Sequence, residues 1–347
     1  MVRRPQLLLG LVAALLLAAG AAVVLRGDEP TSGAAPTTTS TSLAGTTTTA
    51  EPVATTTTAP TTTTAAPISW PALPADGASR AVVTPNGVVL AVSSVLSDGR
   101  FEAVSPCGQA VAVTGQPLSG ATVVIDPGHG GDEPGAVGPS GLTEKDVNLA
   151  VAQELQAQLQ AQGATAVLTR TGDYRVTLAS RGAIAQALHP AVFVSVHHNA
   201  APDETRPTPG AETYFQIASA ESKRLAGLAY EEVVAAFSAY PIQWAADFDA
   251  GAKYRPNSKG GDYYGILKRT AGIPAVLSEA AFITNAPEEA LLADPAFRQV
   301  EAVALARAVV RFVTTADPGS GFVEPYPRTE PAGSGGGASG CQDPPLQ

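Results

Sequence analysis

The sequence predicts an α/β fold, a twisted and mostly parallel sheet flanked by helices, preceded by a small β module. Three observations carry this. Beyond Gly120, short apolar runs alternate with stretches of helical periodicity, the pattern of strand and helix units that share a largely parallel sheet. Between residues 68 and 118 the apolar runs are broken instead by turn sequences, Pro85-Asn86-Gly87 and Asp98-Gly99, which read as connections between antiparallel strands. Finally, Asp126, His129, His197 and Glu279 all follow predicted strand ends, and open α/β sheets gather their ligands outside the carboxyl ends of the strands.

Residues 1–27 read as an export or anchor segment, because Arg3 and Arg4 precede an apolar run from Leu7 to Leu25 that carries no charge. A cleavable signal has an apolar stretch of about 7 to 15 residues and a spanning helix needs about 20, so the run reads as an uncleaved membrane anchor. Cleavage among the small residues from Ala18 to Ala22 is the alternative, and no cysteine lies nearby to carry a lipid. The two arginines place the N-terminus in the cytoplasm and everything after Arg26 outside. Residues 28–67 are mostly Thr, Ala and Pro, too poor in aliphatic side chains to close a core, and read as a disordered linker. In polyproline form, at about 3.1 Å per residue, such a linker reaches on the order of 100 Å.

The small module, residues 68–119, has predicted strands at 81–83, 88–92, 101–104 and 110–113. A buried strand at 121–125 opens the next domain, residues 120–315. Val147, Ala150, Val151, Leu155 and Leu159 recur at helical spacing over 146–162, and Gly163 ends that helix. There follow a strand at 166–169, a helix at 178–188 and a strand over 191–196 that delivers His197. A strand at 212–217, a helix at 220–237, strands near 263–267 and 275–277, and a closing helix over 295–313 complete the pattern. Residues 240–261, with Trp244 and Tyr254, read as a loop that contacts substrate, with a gate as the alternative; residues 316–347 read as a flexible tail.

The net charge of −10 and the lack of a basic patch exclude nucleic acid as a partner class. An exported chain meets oxidising conditions, so Cys107 and Cys341 are expected to form a single disulfide pinning the tail to the small module; two free thiols are the alternative.

His129 stands in a Pro-Gly-His-Gly-Gly turn whose glycines let the backbone bend and leave the imidazole unobstructed, which suits a metal ligand. A turn histidine bonded to a neighbour is the other reading. Asp126 either orients His129 through the second ring nitrogen or caps the turn. Glu144 begins a helix, where the macrodipole alone favours an acid, so the residue by itself leaves a metal role open. His197 and His198 are adjacent on a strand and must point to opposite faces. His189, beside Pro190 in a loop, reads as a surface residue. Glu279 interrupts an apolar stretch, where a carboxylate is costly unless paired, hydrogen-bonded or catalytic. Burial would raise its pKa, as a proton shuttle requires, while an ion pair with Arg269 or Lys268 is the structural alternative. The set has the outline of a one-metal hydrolase: about three nitrogen or carboxylate ligands, an open position for water, and an acid/base carboxylate beside it.

The segments Ile125-Asp126-Pro127-Gly128-His129-Gly130-Gly131, Ser140-Gly141-Leu142-Thr143-Glu144-Lys145-Asp146-Val147-Asn148-Leu149, Leu168-Thr169-Arg170, the start of the helix from Leu178 to Arg181, Ser195-Val196-His197-His198-Asn199-Ala200, Gly210-Ala211-Glu212-Thr213-Tyr214 and Val276-Leu277-Ser278-Glu279 occur in this order. They resemble the zinc-dependent N-acetylmuramoyl-L-alanine amidases of the amidase-3 family over residues 121–313. The resemblance implies cleavage of the amide between the muramic acid lactyl group and the first L-alanine of the peptidoglycan stem peptide. It places His129, Glu144 and His197 as ligands of Zn2+ and Glu279 as the catalytic acid/base, acting on a zinc-activated water. Asp126, His198 and Asn199 are candidates to stand around the ligands or against substrate, and in the resemblance His198 falls where the family usually has a small residue. Ala280-Ala281-Phe282 replaces the more usual Leu-Gly-Phe.

Peptidoglycan is then the partner, with room for a protein activator and with the membrane reached through the N-terminal segment. The protein is expected outside the cytoplasm, in the cell wall or periplasm, anchored or secreted, and its linker is a tether into the wall. The small module is expected to pack as an appendage, with wall binding as the alternative. A non-catalytic wall-binding or regulatory protein on the same fold, and a zinc peptidase acting on other amides, are the competing functions.

Overall fold

The computed structural model describes residues 67–200, 204–327 and 336–347. The expected anchor segment and nearly all of the Thr-rich linker lie outside the described residues. No described helix is long and apolar enough to cross a membrane.

The first strands are β1 (Ala81–Val83), β2 (Val89–Val95), β3 (Phe101–Val104), β4 (Ala110–Val113) and β5 (Gln116–Leu118), antiparallel in the order β4-β3-β2-β1-β5. Side chains alternate between the faces of this sheet. Val82, Leu90, Phe101, Ala103 and Val113 build a small core on one face. Ala81, Val89 and Ala91, on the other face, join a core shared with the following domain. The expected module thus packs against its neighbour along a common apolar layer. The edge strand β5 escaped the sequence reading because Pro117 interrupts so short a run.

The larger sheet is built from β6 (Val123–Pro127), β7 (Ala166–Leu168), β8 (Val192–Asn199), β10 (Glu212–Phe215), β12 (Ala252–Lys253) and β13 (Ala275–Phe282), in the order β12-β10-β13-β8-β6-β7. Its pairings are parallel except that β10 runs antiparallel to β13. A short pair, β9 (Thr205–Arg206) with β11 (Trp244–Ala245), stands apart from it. The helices are α1 (Glu144–Ala161), α2 (Leu178–Leu188), α3 (Ala220–Phe237), α4 (Gly265–Arg269), α5 (Ala286–Ala293) and α6 (Pro295–Thr314). Val123, Ile125, Val194 and Val196 face α1, α3 and α6 through Leu155, Leu159, Leu225, Val233, Leu305 and Val309. Val124, Phe193, Tyr214 and Leu277 face α2 and α4 through Ile184, Leu188, Ile266 and Leu267. Burial on both faces is why the central strands read as continuous apolar runs.

Residues expected as a strand near 263–267 fold instead into the start of α4. Gly265 lets the chain pass close to Leu178, since a Cβ would lie 2.6 Å from Leu178 Cδ1 and the leucine would have to shift. His189 ends α2 in the left-handed conformation, φ 47°, with its side chain exposed as expected. The tail expected to be flexible lies against the body in its described parts. Phe322 bridges to Ala252 and meets the Phe215 ring, while Cys341 is disulfide-bonded to Cys107. A tail rich in Gly and Pro offers no periodicity to read, and its ordering rests on that bond and on backbone acceptors.

Candidate active site

The parallel strands β6, β8 and β13 end side by side, and the site forms where they stop. Beyond β6 the chain turns sharply, with Gly128 N–H donating to the Val196 carbonyl at 3.0 Å. A side chain at Gly128 is impossible, because its Cβ would stand 2.1 Å from His197 Cε1. His129 then adopts φ 59°, a left-handed conformation uncommon outside glycine and usually retained at functional sites. Arg181 Nη2 holds that backbone by donating to the His129 carbonyl at 2.6 Å.

The imidazoles of His129 and His197 meet one carboxylate. His129 Nε2 lies 3.1 Å from Glu144 Oε2 and His197 Nδ1 lies 2.9 Å from Glu144 Oε1. Glu144 is the first residue of α1, and its buried carboxylate also accepts from the Ala136 N–H at 2.9 Å and the His198 N–H at 3.2 Å. Burial pushes this carboxyl up, but the hydrogen bonds and charges of the two histidines outweigh it and hold Glu144 well below the usual range. Burial likewise pushes His197 down against the pull of Glu144. A donor atom from each of the three residues lies within 4.8 Å of the others, an N, N, O set of the kind zinc takes.

Asp126 does not bond the His129 ring. It accepts from Thr169 Oγ1 at 2.5 Å, Ser195 Oγ at 2.8 Å and Arg181 Nη1 at 2.7 Å. Burial alone would raise its pKa, yet Arg181 and these hydroxyls hold it below the usual value. Its link to His129 runs through Arg181, whose guanidinium also donates to the Pro127 and Val176 carbonyls. Arg170 grips the same turn at the Pro127 and Gly128 carbonyls, 3.0 and 2.9 Å away. Both arginines lie in recognisable segments of the sequence, but nothing local signals that they bind the histidine turn.

His197 and His198 do point to opposite faces. The His198 side chain is fully buried behind the site, with Nδ1 2.8 Å from Asn148 Oδ1 and Nε2 3.0 Å from Glu301 Oε2, so it lines no groove. Burial pushes its pKa down, and the Glu301 carboxylate more than reverses this. Asn199 Nδ2 donates to Glu212 Oε2 at 2.9 Å.

Glu279 on β13 is in register with His197 on β8 and with Glu212 on β10. Its Oε2 is buried with no hydrogen-bond partner. Arg269 does not neutralise it: Nη1 of that residue donates to the Gly265 carbonyl at 3.0 Å. Burial first, then the charges of Glu144 and Glu212, push Glu279 well above the ordinary carboxylate value. Glu212 itself accepts from Lys253 Nζ at 2.7 Å and Tyr214 OH at 2.7 Å. Beside His129 and His197 opens a cavity of about 320 Å³ whose walls include Val176, Leu178, Tyr264, Ile266, Leu277 and Gly336. Within residues 240–261, Trp244 is buried and stacks on Phe237 at 5.5 Å, so this side chain is part of the core.

A family model described as N-acetylmuramoyl-L-alanine amidase matches residues 123–311, more than half of the chain and all of the strands that meet at this site. The chain belongs to the amidase-3 family. Among similar proteins, YqiI of Bacillus subtilis (strain 168) is 35% identical over 208 residues, covering 59% of this chain and 89% of that protein. The amidase LytC of the same organism is 36% identical over 191 residues, 54% of this chain and 35% of LytC. The amidase AmiA of Escherichia coli (strain K12) is 30% identical over 222 residues, 55% of this chain and 75% of AmiA. Among solved structures, the amidase AmiC2 of Nostoc punctiforme is 30% identical, with 55% of this chain and 95% of that one covered at a TM-score of 0.46. The protein is therefore an N-acetylmuramoyl-L-alanine amidase, a hydrolase of peptidoglycan. The amidase's sheet, with its mostly parallel order, matches the architecture expected from its sequence.

Proposed function

We propose that His129, Glu144 and His197 hold a zinc ion and that Glu279 is the acid/base of amide hydrolysis. The observation that carries this is the convergence of two imidazole nitrogens on one carboxylate, with Glu279, whose buried Oε2 has no hydrogen-bond partner, in register beside them. Two nitrogens and one oxygen leave a position open on a tetrahedral ion, the arrangement of catalytic rather than structural zinc. When bound, the ion supplies Lewis acidity at the scissile carbonyl and a lowered water pKa. The chain's own residues do the rest. Glu279, raised by burial, takes a proton from the attacking water and delivers it to the departing L-alanine amine. Asp126, Arg181 and Arg170 fix the turn that aims His129. Asn148 and His198 donate to Glu144 from behind, through the Asn148 amide at 3.2 Å and the His198 N–H.

The products are a muramyl glycan and a stem peptide with a free L-alanine N-terminus. We further read the apolar N-terminal run as an export segment or anchor and residues 28–67 as a tether, which carries the enzyme to the wall. An activating partner fits the same picture, since a 26% identical chain, CwlD of Clostridioides difficile, was solved in complex with the GerS lipoprotein.

The test is turnover of purified peptidoglycan by the zinc-loaded protein beside Glu279→Gln, reading stem peptides that begin with free L-alanine. The expected outcome is zinc-dependent release that falls by about 10²- to 10⁴-fold in Glu279→Gln, with metal content unchanged. Wild-type turnover by Glu279→Gln would remove the proposed role of this residue.

A further inference from the structure

The C-terminal tail reaches the active site. Gly336 is part of the cavity wall beside His129 and His197, far in sequence from every other lining residue. Its N–H donates to Glu133 Oε1 at 2.7 Å, and its carbonyl accepts from the Leu178 N–H at 2.9 Å, an otherwise orphaned donor at the start of α2. The contact is close, because a Cβ at Gly336 would lie 2.5 Å from Leu178 Cγ, at a φ of +77° that side chains rarely adopt. Arg175 extends the attachment, donating to the Gly337 carbonyl at 2.7 Å and the Ser339 carbonyl at 3.0 Å.

The anchorage then passes to the small sheet. Cys341 is bonded to Cys107 in the turn after β3, and the Cys107 N–H donates to Asp343 Oδ1 at 2.8 Å. Asn86 donates to the carbonyls of Pro345 and Gln347 at 3.1 and 2.8 Å, and Leu346 packs on the small core. The same turn grips α2, since Ser180 Oγ donates to the Ser105 carbonyl at 2.8 Å and the Thr177 N–H to the Pro106 carbonyl at 2.9 Å. Tail, small sheet and α2 therefore form one frame around the cavity mouth.

We propose that the segment from Gly336 to Cys341, locked by the Cys107–Cys341 disulfide, is a wall of the substrate groove that seats the first residues of the stem peptide. The proposal rests on the amidase reading above. The apolar part of the lining points to the half of the substrate that it takes. Val176, Leu178, Ile266 and Leu277 form one part of a lining that also includes Glu133, Arg181, Tyr263 and Tyr264, and sugar hydroxyls set against those four aliphatic side chains would be left unpaired at a cost. A short peptide beginning with L-alanine presents a methyl group and an extended backbone, and its apolar side gains from such walls. Losing the wall should weaken binding of the peptide while the proton shuttle and the ligands of the ion stay in place.

The experiment compares full-length wild type, Gly336→Ala, and Cys107→Ser combined with Cys341→Ser, all zinc-loaded, on muramyl-L-alanine and on a muramyl tetrapeptide. Both variants are expected to raise KM for the tetrapeptide by about tenfold. Their kcat and zinc content should stay within about twofold of wild type, and muramyl-L-alanine, with little peptide to seat, should show a KM change below about threefold. If the cysteine variant does not fold, Gly336→Ala decides alone. Equal KM for the tetrapeptide in wild type and Gly336→Ala, an equal rise for both substrates, or a fall in kcat with loss of zinc each overturns the wall. Wild type that cleaves neither substrate overturns the amidase reading instead. The wall is then read from binding of the free stem tetrapeptide to the same proteins by calorimetry, where loss of binding in Gly336→Ala supports it and equal binding overturns it.

Discussion

The conformation of His129 is the most constrained feature of the site. Its φ of 59° is strained, and the backbone stays there because Arg181 and Arg170 tie down the carbonyls on either side. Arg181 is the stronger tie. Its planar guanidinium donates to Asp126, Pro127, His129 and Val176 at once, a fork that a lysine ammonium cannot reproduce. Arg181→Lys should lower zinc affinity by about 10- to 100-fold, the range typical of groups that orient metal ligands. Arg181→Ala, which removes one partner of the buried Asp126–Arg181 pair, should destabilise the fold by about 3 kcal/mol. Chelator competition and denaturant unfolding measure the two effects, and an Arg181→Lys protein that binds zinc as wild type does would show that the turn holds itself. At this scale the sequence was only partly legible. His129 lies just beyond β6, whereas His197 and Glu279 stand inside β8 and β13, which run on to Asn199 and Phe282 past the ends expected from the sequence. Each has a local signature, but Asp126 finds Arg181 across 55 residues. Only the fold brings these two together, so the sequence leaves Asp126 between orienting the nearby histidine and capping the turn.

Elements were legible in proportion to their length. The helices with long apolar stripes, α1, α3 and α6, follow the sequence reading to within two residues at each end. The five residues of α4 are too few to express a period, and Ile266-Leu267 reads equally well as a buried strand. The helix α5 is absent from the predicted pattern although Asn285-Ala286-Pro287-Glu288-Glu289 carries a cap, a proline in the first turn and two acids. Its acid Glu288 has a structural task that no local pattern reveals. Its two oxygens accept from the Ala245 N–H at 2.5 Å and the Phe282 N–H at 2.6 Å, joining β11 to β13. Burial raises its pKa to about 7 despite these bonds. A raised carboxyl binds its proton more tightly in the native state than in the unfolded chain. Stability from this group is therefore fully present below about pH 4.5 and declines as pH rises toward 7, by on the order of 3 kcal/mol. Glu288→Gln should be less stable than wild type near pH 5, because its amide group faces one of the two donors, and should lack the decline. Urea unfolding at pH 5 and pH 7.5 tests this, and parallel slopes for the two proteins would refute the assignment.

Across the whole molecule, the sequence placed the small sheet, the catalytic domain and the tail in series, while the fold closes them into a ring. The small sheet shares an apolar layer with α2, and the tail returns over 234 residues to bond the turn after β3. Composition alone gave the tail no reason to be ordered. The expected disulfide supplies one, and the carbonyl acceptors of a Gly-rich chain serve Arg175 and Asn86 without needing side chains. A bond closing so long a loop restricts the unfolded chain severely, and the loop-entropy relation gives a stabilisation of about 5 kcal/mol for the oxidised protein. Native tail contacts add to this only if the tail leaves the surface when the bond is cut. Guanidinium unfolding of the full chain, oxidised and after reduction, should show a clear drop in midpoint, with hydrogen exchange rising at the amides of Cys107, Leu178 and Gly336 below the unfolding transition. A reduced protein with the same midpoint and the same protection at these amides would mean that the tail is held by its hydrogen bonds alone, and that the bond restricts neither state.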